Sequence, residues 1–186
     1  MVYIANFGST KTGQIAACLT ELGIASVIVS GANPEQIDLK KASGIILSGA
    51  PILLTETDVG IYTIPYSFLK TVNVPVLGIC FGHQLLGLLF GASVYKGVEV
   101  RKETQLIIID RDNLFEDFGN TTTMMEDHTE GITLPAAFIK QASSPEYEVE
   151  AMKHRERDLF GVQFHPEVSG KNGLQLLSNF CRLLKK

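Results

Sequence analysis

The sequence predicts an α/β fold: an open, mostly parallel sheet with helices on both faces and antiparallel strands added in the C-terminal half. Two patterns carry this expectation. Through roughly the first half of the chain, short and continuously apolar runs alternate with segments of helical periodicity. Unbroken apolar strands belong to parallel sheets buried on both faces. Further on, short strand-like runs follow one another through charged turns, as antiparallel strands do. The 186 residues are read as one domain, 1–186, long enough to bury a sizeable core.

The elements follow in order. Residues 2–6 form a first strand, ended by Phe7-Gly8-Ser9. A helix follows with Ile15, Cys18, Leu19 and Leu22 on one face and Gly23 as its stop, which places Cys18 in the core. Residues 26–29 are a second strand, followed by a loop with Asn33-Pro34. Residues 44–47 are a third, ending in Ser48-Gly49-Ala50-Pro51, and the stretch to about Thr57 reads as an exposed loop. A helix is expected over 60–72, with Pro65 kinking it or delaying its start. The run 74–79 is a buried strand, and 82–90, apolar almost all round, is a buried helix.

In the second half, 105–110, 121–126, 138–142, 147–152 and 159–164 read as short strands added antiparallel to the sheet. The turns Asp110-Arg111-Asp112-Asn113 and Arg155-Glu156-Arg157-Asp158 read as solvated loops. The last element, 173–184, puts Leu174, Leu177, Cys181 and Leu184 on one stripe and ends in Arg182, Lys185 and Lys186, cations that suit a helix C-terminus. Cys181 is therefore core as well.

Composition narrows the function. An apolar content of 45% with 19% charged residues is that of a globular protein. A formal net charge of −4 without a basic stripe argues against nucleic acid as a partner. No apolar run reaches the ~18 residues that a membrane helix requires. Residues 1–8 read as a strand and a turn, not as a targeting segment. Three cysteines with no metal-type spacing suit a reducing compartment, so a cytoplasmic protein without a metal centre is expected.

The chemistry centres on Gly78-Ile79-Cys80-Phe81-Gly82, at the joint between the buried strand and the buried helix. Gly-x-Cys-x-Gly in that context is a nucleophile elbow with Cys in place of Ser. The glycines allow a tight turn beside which no Cβ fits. The helix N-terminus beneath the sulfur favours the thiolate. A cysteine nucleophile needs a base, and the base an orienting group. Among His83, His128, His154 and His165, the last stands in Phe164-His165-Pro166-Glu167, where a carboxylate two residues on can hold the imidazole in one tautomer. An oxyanion hole needs backbone N–H groups, which Gly49-Ala50-Pro51 and Phe81 can offer. Taken singly, each feature has a plain alternative: a small buried cysteine, a surface histidine at a strand end, an ordinary turn.

Taken together, Gly-Ile-Cys-Phe-Gly-His-Gln and Gly161-Val162-Gln163-Phe164-His165-Pro166-Glu167-Val168 resemble the class I, or triad, glutamine amidotransferases. Ile46-Leu47-Ser48-Gly49-Ala50-Pro51 resembles their Leu-Ser-Gly-Gly-Pro turn. The motifs fall in the family's order across essentially the whole chain. The resemblance implies a flavodoxin-like fold and a Cys80–His165–Glu167 triad, with an oxyanion hole from Gly49, Ala50 and Phe81. It implies that the Gln84 side chain and backbone groups near Asp127, Thr129 and Glu130 hold the α-amino and α-carboxylate groups of glutamine. Val149-Glu150-Ala151-Met152-Lys153-His154 and Asp127-His128-Thr129-Glu130 with Leu134-Pro135 are similar to the amidotransferases of GMP synthetases, in particular the archaeal type, in which the amidotransferase is a separate chain. That narrower resemblance implies a partner: an ATP-pyrophosphatase subunit that carries ATP and Mg²⁺, receives ammonia and aminates xanthosine monophosphate. His128 is read either as a residue facing or coupling to that partner or as a solvated loop histidine; His83 and His154 are read as structural.

Some positions depart from the family pattern. Ala50 stands where a second glycine is usual, at an expected cost of up to ~1 kcal/mol if the turn needs a glycine conformation. Glu130 replaces an aspartate, Asn6-Phe7-Gly8-Ser9-Thr10 stands where relatives often have Gly-Gln-Tyr, and Lys102-Glu103-Thr104 where many have Glu-Tyr-Gly or Glu-Tyr-Ala. Three rival functions stay open at this point: the amidotransferase component of anthranilate or aminodeoxychorismate synthase, a peptidase-like cysteine hydrolase, and a catalytically silent binding module.

Overall fold

Nine strands line up in one sheet in a computed structural model that describes residues 1–185. In chain order they begin with β1 (Val2–Asn6), β2 (Ser26–Ser30), β3 (Gly44–Leu47) and β4 (Val76–Ile79). Helices α1 (Thr12–Glu21), α2 (Gly60–Thr63) and α3 (Phe81–Leu89) fall between and after them. The second half supplies β5 (Val94–Val100), β6 (Glu103–Ile108), β7 (Thr121–Met125), β8 (His128–Ile132), β9 (Phe138–Ser143), β10 (Ala151–His154), β11 (Leu159–Val162) and α4 (Gly170–Arg182). The sheet order is β2-β1-β3-β4-β11-β10-β9-β6-β7, and β5 pairs with β8 in a separate two-stranded sheet.

The parallel half forms as the apolar runs demand. Alternate residues of a strand face opposite ways. Val2 and Ile4 of β1 therefore join Ile46, Leu77 and Ile79 in a core roofed by Ile15 and Leu19 of α1 and by Leu176, Leu177 and Phe180 of α4. Tyr3 and Ala5 join Ile45 and Leu47 in the core on the other face, under Leu85, Leu86 and Leu89 of α3. β3, β4 and β11 are buried along their whole length, whereas β2 is an edge strand and leaves Val27 and Ile28 exposed.

Several expectations need correction. The helix over 60–72 is broken: α2 is one turn, and a 3₁₀ turn at Ser67–Lys70 follows after Pro65. Proline removes the N–H that a continuing helix would use. The expected strand 159–164 is not an antiparallel addition. β11 runs parallel to β4, with Gly161 opposite Gly78, and only β10, β9, β6 and β7 continue antiparallel. The strand expected over 147–152 starts only at Ala151; before it the Tyr147 carbonyl accepts the Ser144 N–H in a turn, and the Tyr147 hydroxyl lies 2.6 Å from the Val98 carbonyl and 2.9 Å from that of Thr129. β5 and β8 carry no apolar alternation; β5 is largely exposed. Cys18 and Cys181 flank the core half-buried instead of lying within it. Arg157 is not a merely solvated turn residue. Its guanidinium donates to the carbonyls of Leu69, Lys70 and Val72, and so closes the end of that 3₁₀ turn.

The carboxyl ends of β3, β4 and β11 lie side by side, since β4 pairs with both of the others. In open sheets of this kind, ligands bind beyond such ends.

Candidate active site

Cys80 caps the N-terminus of α3 with φ 51° and ψ −105°, a left-handed backbone that a non-glycine residue adopts only under constraint. The constraint is close packing. A Cβ on Gly78 would come within 2.4 Å of the Gly82 carbonyl oxygen, and one on Gly82 within 2.4 Å of the Leu47 carbonyl oxygen. The two flanking glycines let β4 turn into α3 against the end of β3. The turn presents the Cys80 sulfur at the helix N-terminus, where unpaired N–H groups and the helix dipole favour negative charge.

His165 follows β11 and is anchored by its own N–H to the Met125 carbonyl at 2.8 Å. Its Nδ1 lies 2.7 Å from Oε1 of Glu167, and the two side chains are almost wholly buried. Burial opposes the charged imidazole. Hydrogen bonds and charges from Cys80 and Glu167 outweigh it and hold the His165 pKa up at about 10. The arrangement is that of a thiol whose proton passes to an oriented base.

Beyond the sulfur opens a cavity of about 420 Å³. It is lined by Cys80, His165, Ala50, Phe81, Gln84, Asp127, His128, Thr129 and Glu130 among the sequence-predicted residues; Glu167 stands behind His165 and Gly49 behind the wall. A Cβ on Gly49 would sit 3.1 Å from the His165 ring, so a larger residue there would crowd the imidazole. Ala50 carries no left-handed backbone, so the expected cost of alanine at this turn does not arise. Among the described residues the N–H groups of Gly49, Ala50 and Phe81 donate to no other group, and Phe81 heads a helix whose first N–H groups have no internal acceptor.

Other candidates take different places from those expected. Glu130 does not offer its carboxylate to the cavity. Its oxygens accept the N–H groups of Leu54 at 2.7 Å and Thr55 at 2.8 Å, tying down the loop that was expected to be exposed. Gln84 spends its amide nitrogen on the Glu130 carbonyl and on Gln163, which leaves its oxygen as the group that can accept from a ligand. His128 is no partner-facing or solvated residue. Its side chain is 2% exposed, with Nδ1 at 3.0 Å from the Glu130 carbonyl and Nε2 at 3.1 Å from Glu126. His83 is fully buried, and burial with neighbouring His128 drives its pKa down to about 3. His154 packs between Phe90 and Phe138.

Three groups at the site were not singled out from the sequence. Lys11 and Arg101 enter the cavity and hold Asp127, at 2.6 and 3.3 Å. Partial burial opposes the Asp127 charge, but Lys11, Arg101 and His165 keep its carboxyl below the usual range. Lys11 is 116 residues from Asp127, and no local signal links them. Gln163 was legible only as a letter of the His165 motif. Among the described residues, Glu126, His128 and Glu150 form the one buried set whose metal-ligand-type atoms lie within 4.8 Å of one another. Burial and neighbouring Glu126 push the Glu150 carboxyl up to about 8. The His128 ring lies between the Glu130 carbonyl at Nδ1 and the Glu126 carboxylate at Nε2.

Residues 3–184 match the family model described as glutamine amidotransferase class-I. The glutamine-hydrolysing GMP synthase subunits of Archaeoglobus fulgidus and Pyrococcus furiosus are each 34% identical to the chain. Those matches run over 186 and 187 residues, covering 98% of this chain and 97% and 98% of theirs. A crystal structure of a Thermoplasma acidophilum protein, provisionally assigned as the corresponding GMP synthase subunit, superposes with a TM-score of 0.86. It is 28% identical, with 98% of this chain and 92% of that one covered.

Proposed function

Since the chain belongs to the class I glutamine amidotransferase family, we propose that it is the glutaminase subunit of a two-subunit GMP synthetase. The Cys80–His165 pair at the cavity, backed by Glu167, carries this reading: an imidazole raised to about 10 by the sulfur and carboxylate on its two sides. Cys80, as thiolate, attacks the side-chain amide carbon of glutamine. The N–H groups of Phe81 and of the Gly49–Ala50 turn receive the negative oxygen. His165, oriented by Glu167, gives its proton to the departing ammonia. It then takes one from water, whose oxygen attacks the thioester and releases glutamate. The oxygen of Gln84 and the Asp127–Thr129–Glu130 backbone are the groups proposed to hold the α-amino and α-carboxylate ends of the substrate.

The names of the relatives support the GMP synthetase assignment over the anthranilate or aminodeoxychorismate alternatives. The ammonia then passes to an ATP-pyrophosphatase subunit that binds ATP and Mg²⁺ and aminates xanthosine monophosphate. Among the described residues no helix is long and apolar enough to cross a membrane, and a cytoplasmic location fits substrates of this kind. The test is turnover. Glutamate release by the chain alone should be slow and should rise when xanthosine monophosphate, ATP, Mg²⁺ and the pyrophosphatase partner are added, with GMP formed in step. A turnover that stays the same in both mixtures, or glutamate release without GMP, would refute the assignment.

A further inference from the structure

The Gln163 side chain lies wholly buried directly beneath the nucleophile, and none of the reaction's steps gives it a task. Its Nε2 is 3.7 Å from the Cys80 sulfur, and its Oε1 is 3.1 Å from Nε2 of Gln84. Which end of a side-chain amide is nitrogen has to be settled by its partners. Here the partners settle it. A backbone carbonyl only accepts, so the Gln84 nitrogen must face the Glu130 carbonyl at 3.0 Å. The other hydrogen of that nitrogen then points at Gln163, which must offer its oxygen. The nitrogen of Gln163 is left facing sulfur. The Gln163 N–H, bonded to the Glu150 carbonyl at 2.8 Å, and that of Cys80, bonded to Val162 at 2.8 Å, fix the two backbones on which this rests.

We propose that Gln163 is a thiolate-stabilising residue: its amide, locked by Gln84 and the Glu130 carbonyl, donates to the Cys80 sulfur and favours the ionised nucleophile. A second contact acts in the opposite sense. The sulfur is 3.9 Å from the Asp127 carbonyl, which can accept from a thiol but not from a thiolate. Gln163 answers that contact with a donor that gains strength when the sulfur is charged. The amide keeps both its hydrogens throughout, and the proton leaving Cys80 goes to His165. The same chain of amides runs on to the Gln84 oxygen at the cavity wall. A ligand ammonium bound there would polarise Gln84, then Gln163, and strengthen the donor at the sulfur, which ties substrate occupancy to nucleophile ionisation. This last consequence rests on the glutaminase reading; the donor at the sulfur does not.

The other charged and titratable groups near the sulfur stay in place in the test. They are His165 with Glu167 after β11, Asp127 with Lys11 and Arg101 after β7, and His128 and Glu130 of β8. The test is the pH dependence of Cys80 alkylation by iodoacetamide, read on the Cys80 peptide by mass spectrometry, in the full chain without glutamine. Gln163→Met removes the donor at similar length. Gln163→Asn keeps an amide but withdraws it from the sulfur, and stands in if the first variant does not fold. Both should raise the midpoint by about one pH unit, a tenfold loss of thiolate preference, with the rate at high pH unchanged. Glutaminase kcat should fall further than KM rises. A Gln163 that only fills space would leave the midpoint where it is, and an unchanged midpoint in either folded variant overturns the proposal. Because alkylation needs no glutamine, a shifted midpoint in a chain without glutaminase activity would uphold the donor and refute the enzymatic reading alone.

Discussion

The Glu130 carboxylate reaches across 75 residues to accept the backbone N–H of Thr55 at 2.8 Å, and its second oxygen takes the N–H of Leu54 at 2.7 Å. One buried side chain thereby holds the loop that follows Pro51 against β8, and this loop supplies Ile52 and Leu53 to the cavity wall. Glu130→Ala should free the loop. The expected result is a KM for glutamine raised ~10-fold or more, as for lost hydrogen bonds to a charged group worth ~1.5–3 kcal/mol, with Cys80 alkylation little changed. Steady-state kinetics and alkylation rates on one preparation separate the two effects.

The nucleophile assignment concerns Cys80 against Cys18 and Cys181. Both of the latter are pushed up by burial, Cys181 to about 11, and neither has an imidazole beside it. A glutamine-analogue electrophile should label Cys80 alone, and Cys80→Ala should abolish glutamine hydrolysis. Peptide mapping that finds the label mainly on Cys18 or Cys181 would remove the assignment.

Glu167 does not line the cavity, and its proposed part is to hold His165. Glu167→Gln keeps the shape of the side chain and should keep the fold, but removes the charge that holds the imidazole. The loss in kcat should be large, by analogy with other orienting carboxylates up to ~10⁴-fold. Activity within about a factor of two of the parent would mean that the carboxylate does not orient the base.

Glu150 makes stability depend on pH. Its carboxyl rises from an ordinary 4.5 to about 8 in the folded chain. Between those values the folded state binds the proton and the unfolded state does not, so stability falls as pH rises through that window. Glu150→Gln removes the titration and keeps an acceptor for the Ser144 hydroxyl that Glu150 now accepts at 2.7 Å. The melting temperature of the variant relative to the parent should therefore increase from pH 5.5 to pH 8.5. The gain should be at most ~3 kcal/mol, from a little under ~2.5 pH units at ~1.4 kcal/mol each, or roughly 6–12 °C in a chain of this length. His83, held neutral by burial, weakens both proteins alike toward acid and cancels in the difference. A gap that is constant with pH would show that Glu150 does not titrate in this range.

Features encoded between near neighbours were legible without coordinates. Apolar runs placed β1, β3 and β4, because a strand buried on both faces must be apolar throughout. Gly78 and Gly82 marked the elbow, since the backbone there passes too close to its own turn for a Cβ. His165 and Glu167, two residues apart, could be paired on paper because a single tight turn brings them together. Features that join distant segments needed the folded chain. The pairing of β5 with β8 had no periodicity to announce it, since β5 is exposed and β8 is buried for the sake of its polar contacts. The hold of Lys11 on Asp127, the capture of the 53–55 loop by Glu130 and the burial of His128 arise where strand order sets remote residues side by side. The orientation of Gln163 is the sharpest case: its amide is turned by a carbonyl two hydrogen bonds away, and no property of residue 163 or its neighbours in sequence contains that instruction.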